Sequence, residues 1–393
     1  MVESLRSKKE LVFFIFGAPL SLAVLYARTT ASVLRFPSDP GYLYVQNAVD
    51  SGVNSLLIGD PYYHLAARLL AWLTSFFPLV TQAVVLATLV HLVWAACAAI
   101  IARVCWLETR SRAVGVVAGL LLVTAPHASE STLGNVGNVK WPLLTTLLVV
   151  CASAVSVQNA KWPTFGLMMF TGFTNPLTFL CLFSLGLLAR RRVESRVLAL
   201  RLSGACLVTL LLQLMKVGFS SASDGHSTKV VKPWEGMGLF WWSGLLGPIF
   251  LTFALFLAAV VLRFKKQSLS DFGVTLGATA LFVGVVSYQM GGIADRYFVA
   301  PMTLATLAVM VAIVSIHLNV ALKRFVWAVG VSLLMIPSVK WFSTGWFMTS
   351  GPTWAQEISR TRELCINSRI KRVAIAVSPS GSEILKCSQL IDG

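Results

Sequence analysis

Residues Gly166–Ala189 read GLMMFTGFTNPLTFLCLFSLGLLA, an apolar stretch with Asn175-Pro176 at its middle, between Lys161 and the cluster Arg190, Arg191 and Arg192. A single crossing of a bilayer would carry that cluster to the side opposite Lys161. Two full crossings need about 40 residues, more than the stretch offers. Proline lacks the N–H that a helix interior requires, so the Asn-Pro pair breaks any helix formed here. The stretch is expected to form two short half-helices that meet at the break, with both flanks on one side. Non-helical backbone at that depth is tolerated only against protein or water, so the break is expected to line a cavity.

The rest of the chain carries the same signature. Its 393 residues are 56% hydrophobic and 12% charged, with mean hydropathy +0.76. Globular domains average about 25% charged residues, which excludes an ordinary soluble fold. The class is all-α, a polytopic integral membrane protein. The net charge of +16 does not point to nucleic acid, because much of it falls in clusters between apolar runs. These are Arg6, Lys8 and Lys9; Arg110 and Arg112; Arg190, Arg191, Arg192 and Arg196; Arg263, Lys265 and Lys266; Lys323 and Arg324. Such clusters mark cytoplasmic loops.

Apolar runs predict spans over about 11–27, 78–104, 114–127, from Trp141 to the loop QNAKWP, then 197–216, 236–262, 272–290, 299–318 and 325–342. With the broken pair counted as two, about eleven transmembrane segments result, N-terminus cytoplasmic and C-terminus extracytoplasmic, in the inner cell membrane. The first run shows no small-residue cleavage site and reads as an uncleaved span. Residues 1–342 form the transmembrane domain, with a long polar first outer loop over 28–77, and 343–393 form a small extracytoplasmic tail. The tail reads as a helix from Trp354 to Asn367 followed by a strand, RVAIAVSP. Its Cys365 and Cys387 either form a disulfide or stay as two thiols. No Cys/His spacing suggests a metal site, and no cofactor is implied.

Cytoplasmic loops are short, and neither GxxxxGK[ST] nor GxGxxG after a strand occurs. Chemistry is therefore expected at the outer face, on a substrate that arrives activated on a lipid carrier. Three groups of polar residues face that side. Asp39, Asp50 and Asp60 share the first outer loop with PYYHLAARLLAW, which carries Tyr63, His64 and Arg68. A carboxylate at the bilayer lip can serve as general base; the alternative is a helix cap or solvated loop residue. Arg296, Lys216, Lys229 and Lys232 suit a phosphate, or snorkel to the interface. HASESTLGNVGNVKW carries Glu130, Asn135, Asn138 and Lys140, suited to sugar hydroxyls, with Trp141 as an interfacial anchor in the plainer reading.

An early aspartate after the first span, YYHLAARLLAW, ESTLGNVGNVKW, the broken TGFTNP and the downstream RYFVAP together resemble the GT-C superfamily of membrane glycosyltransferases, over most of the first 320 residues. The resemblance is to bacterial members with a polyprenyl-phosphate-linked sugar donor. It implies an inverting glycosyltransferase acting at the outer face on a cell-envelope glycan or lipid-linked acceptor. It implies Asp39 as catalytic base, with Asp60 second, although Pro40 replaces the adjacent acid usual in the family. It also makes Arg296 a ligand of the donor phosphate, joined by Lys216, Lys232, Lys229 and Arg68. Glu130, Asn135, Asn138, Tyr63, His64 and Tyr297 remain for sugar and acceptor. Metal dependence stays open: carboxylates can bind a divalent ion, but no tight cluster demands one, and a phosphate held by Arg and Lys needs none. The competing readings are a lipid-linked sugar flippase or transporter, and a glycan polymerase or ligase with a pyrophosphate-linked donor.

Overall fold

The structure, a computed structural model, describes residues 17–29, 33–36, 41–58, 62–124, 130–159, 161–220, 270–291, 299–315, 352–368, 370–377 and 382–391. Of these, 86% are helical. The helices are α1 (17–29), α2 (Gly41–Ser51), α3 (Leu65–Thr74), α4 (Gln82–Thr109), α5 (Arg112–Thr124), α6 (Glu130–Leu133), α7 (Lys140–Ala152) and α8 (Ala154–Asn159). They continue with α9 (Lys161–Thr174), α10 (Cys181–Arg191), α11 (Arg196–Ser220), α12 (Asp271–Gly291) and α13 (Val299–Ser315). Two helical stretches, Leu79–Thr109 and Val193–Lys216, are long and apolar enough to cross a membrane. The expected spans over 236–262 and 325–342 lie outside the described residues.

Helix α7 is the centre of the bundle. Every residue from Trp141 to Ala152 is buried, and α4, α9, α10, α12 and α13 all pack against it. A helix apolar on all faces is one surrounded by protein. Around it, α4 and α5 form a tight hairpin. Arg110 closes α4 in the left-handed region, at φ 57°, and its N–H donates to the Trp106 carbonyl. Gly119 of α5 meets Ala98 and Ala102 of α4 so closely that a Cβ there would lie 2.8 Å from the Ala98 carbonyl oxygen. Small residues at such crossings let helix backbones approach.

The broken stretch folds as the Asn-Pro pair dictates. Helix α9 ends at Thr174, Asn175 is extended with φ −143°, and its side-chain carbonyl caps the following turn by accepting from Leu177 N at 3.0 Å. After a 3-10 turn (Pro176–Leu180), α10 runs back. The two flanks lie at the same end, because Gln158 Nε2 donates to Ser195 Oγ at 2.8 Å. Arg191 and Arg192 at that end pair with Asp271, at 3.3 and 2.9 Å, and Glu108 accepts from Ser153.

The break is covered by protein: Asn175 is 2% exposed, and α11 packs against the turn that follows it. The Cys206 thiol bonds the Thr178 carbonyl at 3.3 Å. Gly172 lies so near α11 that an added Cβ would meet Thr209 Cβ at 2.6 Å. Gly172→Ala is therefore expected to destabilise the bundle by about 1–3 kcal/mol, measured by thermal unfolding in detergent, and Thr209→Gly in the same chain should recover most of the loss.

The first outer segment also differs from the sequence reading. Rather than a solvated polar loop, much of the described part of 28–77 is helical, in α2, a 3-10 turn (Gly52–Leu57) and α3. Ala66, Ala67, Arg68 and Ala71 are buried. The apolar spacing of LAARLLAW gives α3 a face that packs on α4 and α9.

The tail is a small unit of its own chemistry. It holds α14 (Trp354–Ser368), β1 (Arg372–Ala376), β2 (Ser382–Lys386) and α15 (Cys387–Ile391). The strands form an antiparallel pair with Val373 opposite Leu385, the one sheet among the described residues. Trp354, Ile358, Thr361 and Cys365 make the buried stripe of α14. Cys365 and Cys387 are joined in a disulfide, Cα–Cα 5.5 Å, which resolves the alternative left open by the sequence. Glu357 is held below the usual carboxylate range, first by its hydrogen bonds with the Arg360 guanidinium and also by the Ala376 N–H. The unit sits on the first outer segment: Trp354 N donates to Leu34 O at 2.8 Å, and Trp354 Nε1 to Leu79 O at 2.7 Å. The Trp354 ring packs against Phe36 and Tyr42.

Candidate functional site

At the end of the bundle opposite Arg191 and Asp271, the residues before α3 are threaded between α7, α9 and α11. Gln213 of α11 holds them. Its Oε1 accepts from Tyr63 N at 2.9 Å, while its Nε2 donates to Tyr63 O at 3.2 Å and Gly172 O at 2.9 Å. Gln213 is fully buried, so an amide within the apolar run LLLQLM is satisfied by backbone from two other elements. One turn along, Thr174 Oγ1 accepts from Ala66 N at 3.1 Å. Below α3, Arg68 is 2% exposed; its Nη1 donates to Ser55 O at 3.1 Å, and its guanidinium lies 4.7 Å from the Tyr44 ring.

Held this way, consecutive tyrosines reach different lysines. Lys140, the first residue of α7, donates from Nζ to Tyr62 Oη at 2.9 Å and lies 5.6 Å from the Trp141 ring centroid. Lys216, near the end of α11, lies 5.9 Å from the Tyr63 ring, which also packs edge-on against Phe173. These are within cation–π range. His64 stands between Tyr62, at 4.1 Å between centroids, and Tyr44, at 5.7 Å.

The His64 imidazole is pushed down from 6.5 to about 3, by burial first and then by the Lys140 and Arg68 charges. It is neutral at pH 7. As pH falls below about 6.5, the unfolded chain takes up a proton that the folded one refuses, so stability falls on acidification. The loss between pH 7 and pH 5 is expected to be about 2 kcal/mol. Thermal unfolding at the two pH values should show a smaller difference for His64→Asn than for the unsubstituted protein; equal differences would contradict a buried neutral imidazole.

Of the residues singled out in the sequence, Tyr63, His64, Arg68, Lys140 and Lys216 lie here. Asn135 and Asn138 lie nearby in the turn that leads into α7. Asn135 Oδ1 accepts from Gly137 N at 2.8 Å, which shapes that turn, and Asn138 is buried. Glu130 begins α6, and its side chain lies outside what the structure describes. Asp39, Asp60, Lys229, Lys232, Arg296 and Tyr297 also lie outside the described residues. Sequence reasoning missed Gln213, Tyr44, Tyr62 and Thr174. For Gln213 a signal existed, since a side-chain amide in an apolar helix must find partners; nothing in the sequence named them.

Among the described residues, no group of three or more His, Cys, Asp or Glu side chains is disposed to hold a metal ion. The fold and site define a helical bundle with a cationic, tyrosine-rich site at one end. No family model and no curated protein sequence matches the chain.

Proposed function

We propose that this protein is a polytopic inner-membrane glycosyltransferase of about eleven transmembrane segments, transferring sugar from a polyprenyl-phosphate donor to an envelope glycan or lipid-linked acceptor at the outer face. The observation that carries the reading is the convergence of Lys140 and Lys216 on Tyr62 and Tyr63 at one end of the bundle. That end lies opposite Arg191 and Arg192, which the positive-inside rule assigns to the cytoplasm. The disulfide-closed tail docks at the same end, in keeping with an oxidising compartment. Helix α12 ends at Gly291 and α13 begins at Val299, bracketing the stretch that carries Arg296.

The chemistry is a single displacement. An acceptor hydroxyl oxygen attacks the anomeric carbon as the carbon–oxygen bond to the lipid phosphate breaks, and that electron pair leaves with the phosphate. The hydroxyl proton passes to a carboxylate, Asp39 in the first place and Asp60 in the second. Arg296 and Lys216, with Lys229 and Lys232, stabilise the charge that develops on the phosphate; positioned charge of this kind is commonly the largest catalytic contribution.

The test is the purified chain in liposomes with a polyprenyl-phosphate-linked radiolabelled sugar and envelope lipid extract. The expected result is a new glycosidic bond and free polyprenyl phosphate. Transbilayer movement of the labelled lipid without a new bond would instead identify a flippase, and product formed only from a pyrophosphate-linked donor would identify a polymerase or ligase.

A further inference from the structure

We infer that Lys140, His64 and Arg68, on the Tyr62 side of the site, form a binding site for a phosphoryl group, separate from the Lys216 side.

The first observation is an orphaned atom. His64 is 7% exposed, and its Nδ1 is buried without a hydrogen-bond partner among the described residues. Leaving a buried polar atom unpaired costs about 1–3 kcal/mol. Such an atom marks a place where a ligand can complete a bond. The second observation is the company it keeps. Lys140 bonds Tyr62, whose ring lies 4.1 Å from the imidazole. Arg68 lies over the Tyr44 ring, which is 5.7 Å from the same imidazole. Burial first, and then both charges, hold down the affinity of His64 for a proton. Lys140 is also the first residue of a 13-residue helix, whose N-terminal end adds partial positive charge in the same direction.

These groups share one requirement. A sugar hydroxyl can satisfy the imidazole but gains little from the cations. A phosphoryl group offers several acceptor oxygens to the imidazole N–H, the ammonium and the helix end together. The separation from the Lys216 side follows from the backbone: Tyr62 engages α7 while Tyr63 engages α9 and α11. The two lysines therefore flank one stretch of chain, each beside its own tyrosine. This inference concerns binding alone and stands whether or not sugar transfer is found.

The experiment uses the full chain in nanodiscs, with inorganic phosphate and farnesyl phosphate as probes. Imidazole NMR signals are followed, and the His64 signal is assigned by its absence in His64→Gln. A saturable shift of the His64 signal is expected. Lys140→Met should weaken it by about 10–100-fold, the loss of one charge-assisted hydrogen bond, while Lys140→Arg should restore most of it. Lys216→Met should leave it unchanged. A shift with both probes identifies a soluble phosphate ester as an adequate ligand; a shift with farnesyl phosphate alone identifies a membrane lipid phosphate. No His64 shift with either probe in a chain that retains its thermal unfolding transition would overturn the inference. So would equal losses in Lys140→Met and Lys216→Met, because the two sides would then be one site.

Discussion

Asp39→Asn is expected to lower sugar transfer by about 10²–10⁴-fold, the usual effect of deleting a general base, with the protein still accumulating in the membrane. Asparagine preserves shape and removes the basic, charged oxygen that takes the acceptor's proton. Asp39 lies in PSDPG, a stretch flanked by Phe36 and Tyr42, both buried against Trp354. A loss caused by misfolding would therefore also lower the thermal stability of the tail unit, which can be read separately. Asp60→Asn is the companion measurement, because Asp60 stands two residues before Tyr62, whose hydroxyl is bonded to Lys140. A collapse in Asp60→Asn with Asp39→Asn active would move the base to Asp60. Full activity in both would remove the carboxylate base from the mechanism.

Gln213→Leu carries the second large effect, this one on stability. Leucine keeps much of the volume and breaks three hydrogen bonds. Tyr63 N, Tyr63 O and Gly172 O lose their side-chain partner in a buried setting. At about 1–3 kcal/mol for each group left unsatisfied, a loss of about 3–5 kcal/mol is expected. That is a large share of the 5–15 kcal/mol that commonly separates folded from unfolded domains. Because Gln213 ties the first outer segment to α9 and α11 together, the same substitution should expose that segment to protease before the bundle itself unfolds. Limited proteolysis checks this: cleavage near Tyr63 in Gln213→Leu, absent in the unsubstituted protein, is the expected pattern. An unchanged digestion pattern together with a stability loss under about 1 kcal/mol would mean that the segment is held by other contacts.

Much of the bundle was legible from apolar runs and breakers. The expected runs at 197–216 and 272–290 correspond to α11 (Arg196–Ser220) and α12 (Asp271–Gly291). The run at 78–104 falls short of the end of α4, because Thr109 and Glu108 continue the helix until Arg110 turns left-handed. The reversal at Asn175-Pro176 was legible too, since proline removes a donor wherever it sits and the charges on either flank record the side. The first outer segment was misread. Its polar residues suggested a loop, yet Arg68 and His64 are buried because their partners come from the Ser55 carbonyl and the rings of Tyr44 and Tyr62. A polar residue looks solvated in a sequence when the groups that satisfy it are not adjacent.

The amino-acid order alone determined the helical class, the limits of helices such as α11 and α12, and the reversal in the middle of the chain. Each of these follows from local rules: backbone that leaves water must bond within its own helix, and proline cannot. Tertiary structure decided which polar groups meet. Lys140 reaches Tyr62 across 78 positions, Gln213 reaches Tyr63 across 150, and Trp354 reaches Leu79 across 275. Such encounters depend on how deep each helix sits and at what angle it crosses its neighbours. Those are set by close approaches such as Gly172 on Thr209 and Gly119 on Ala98, where packing, not residue type, selects the partner.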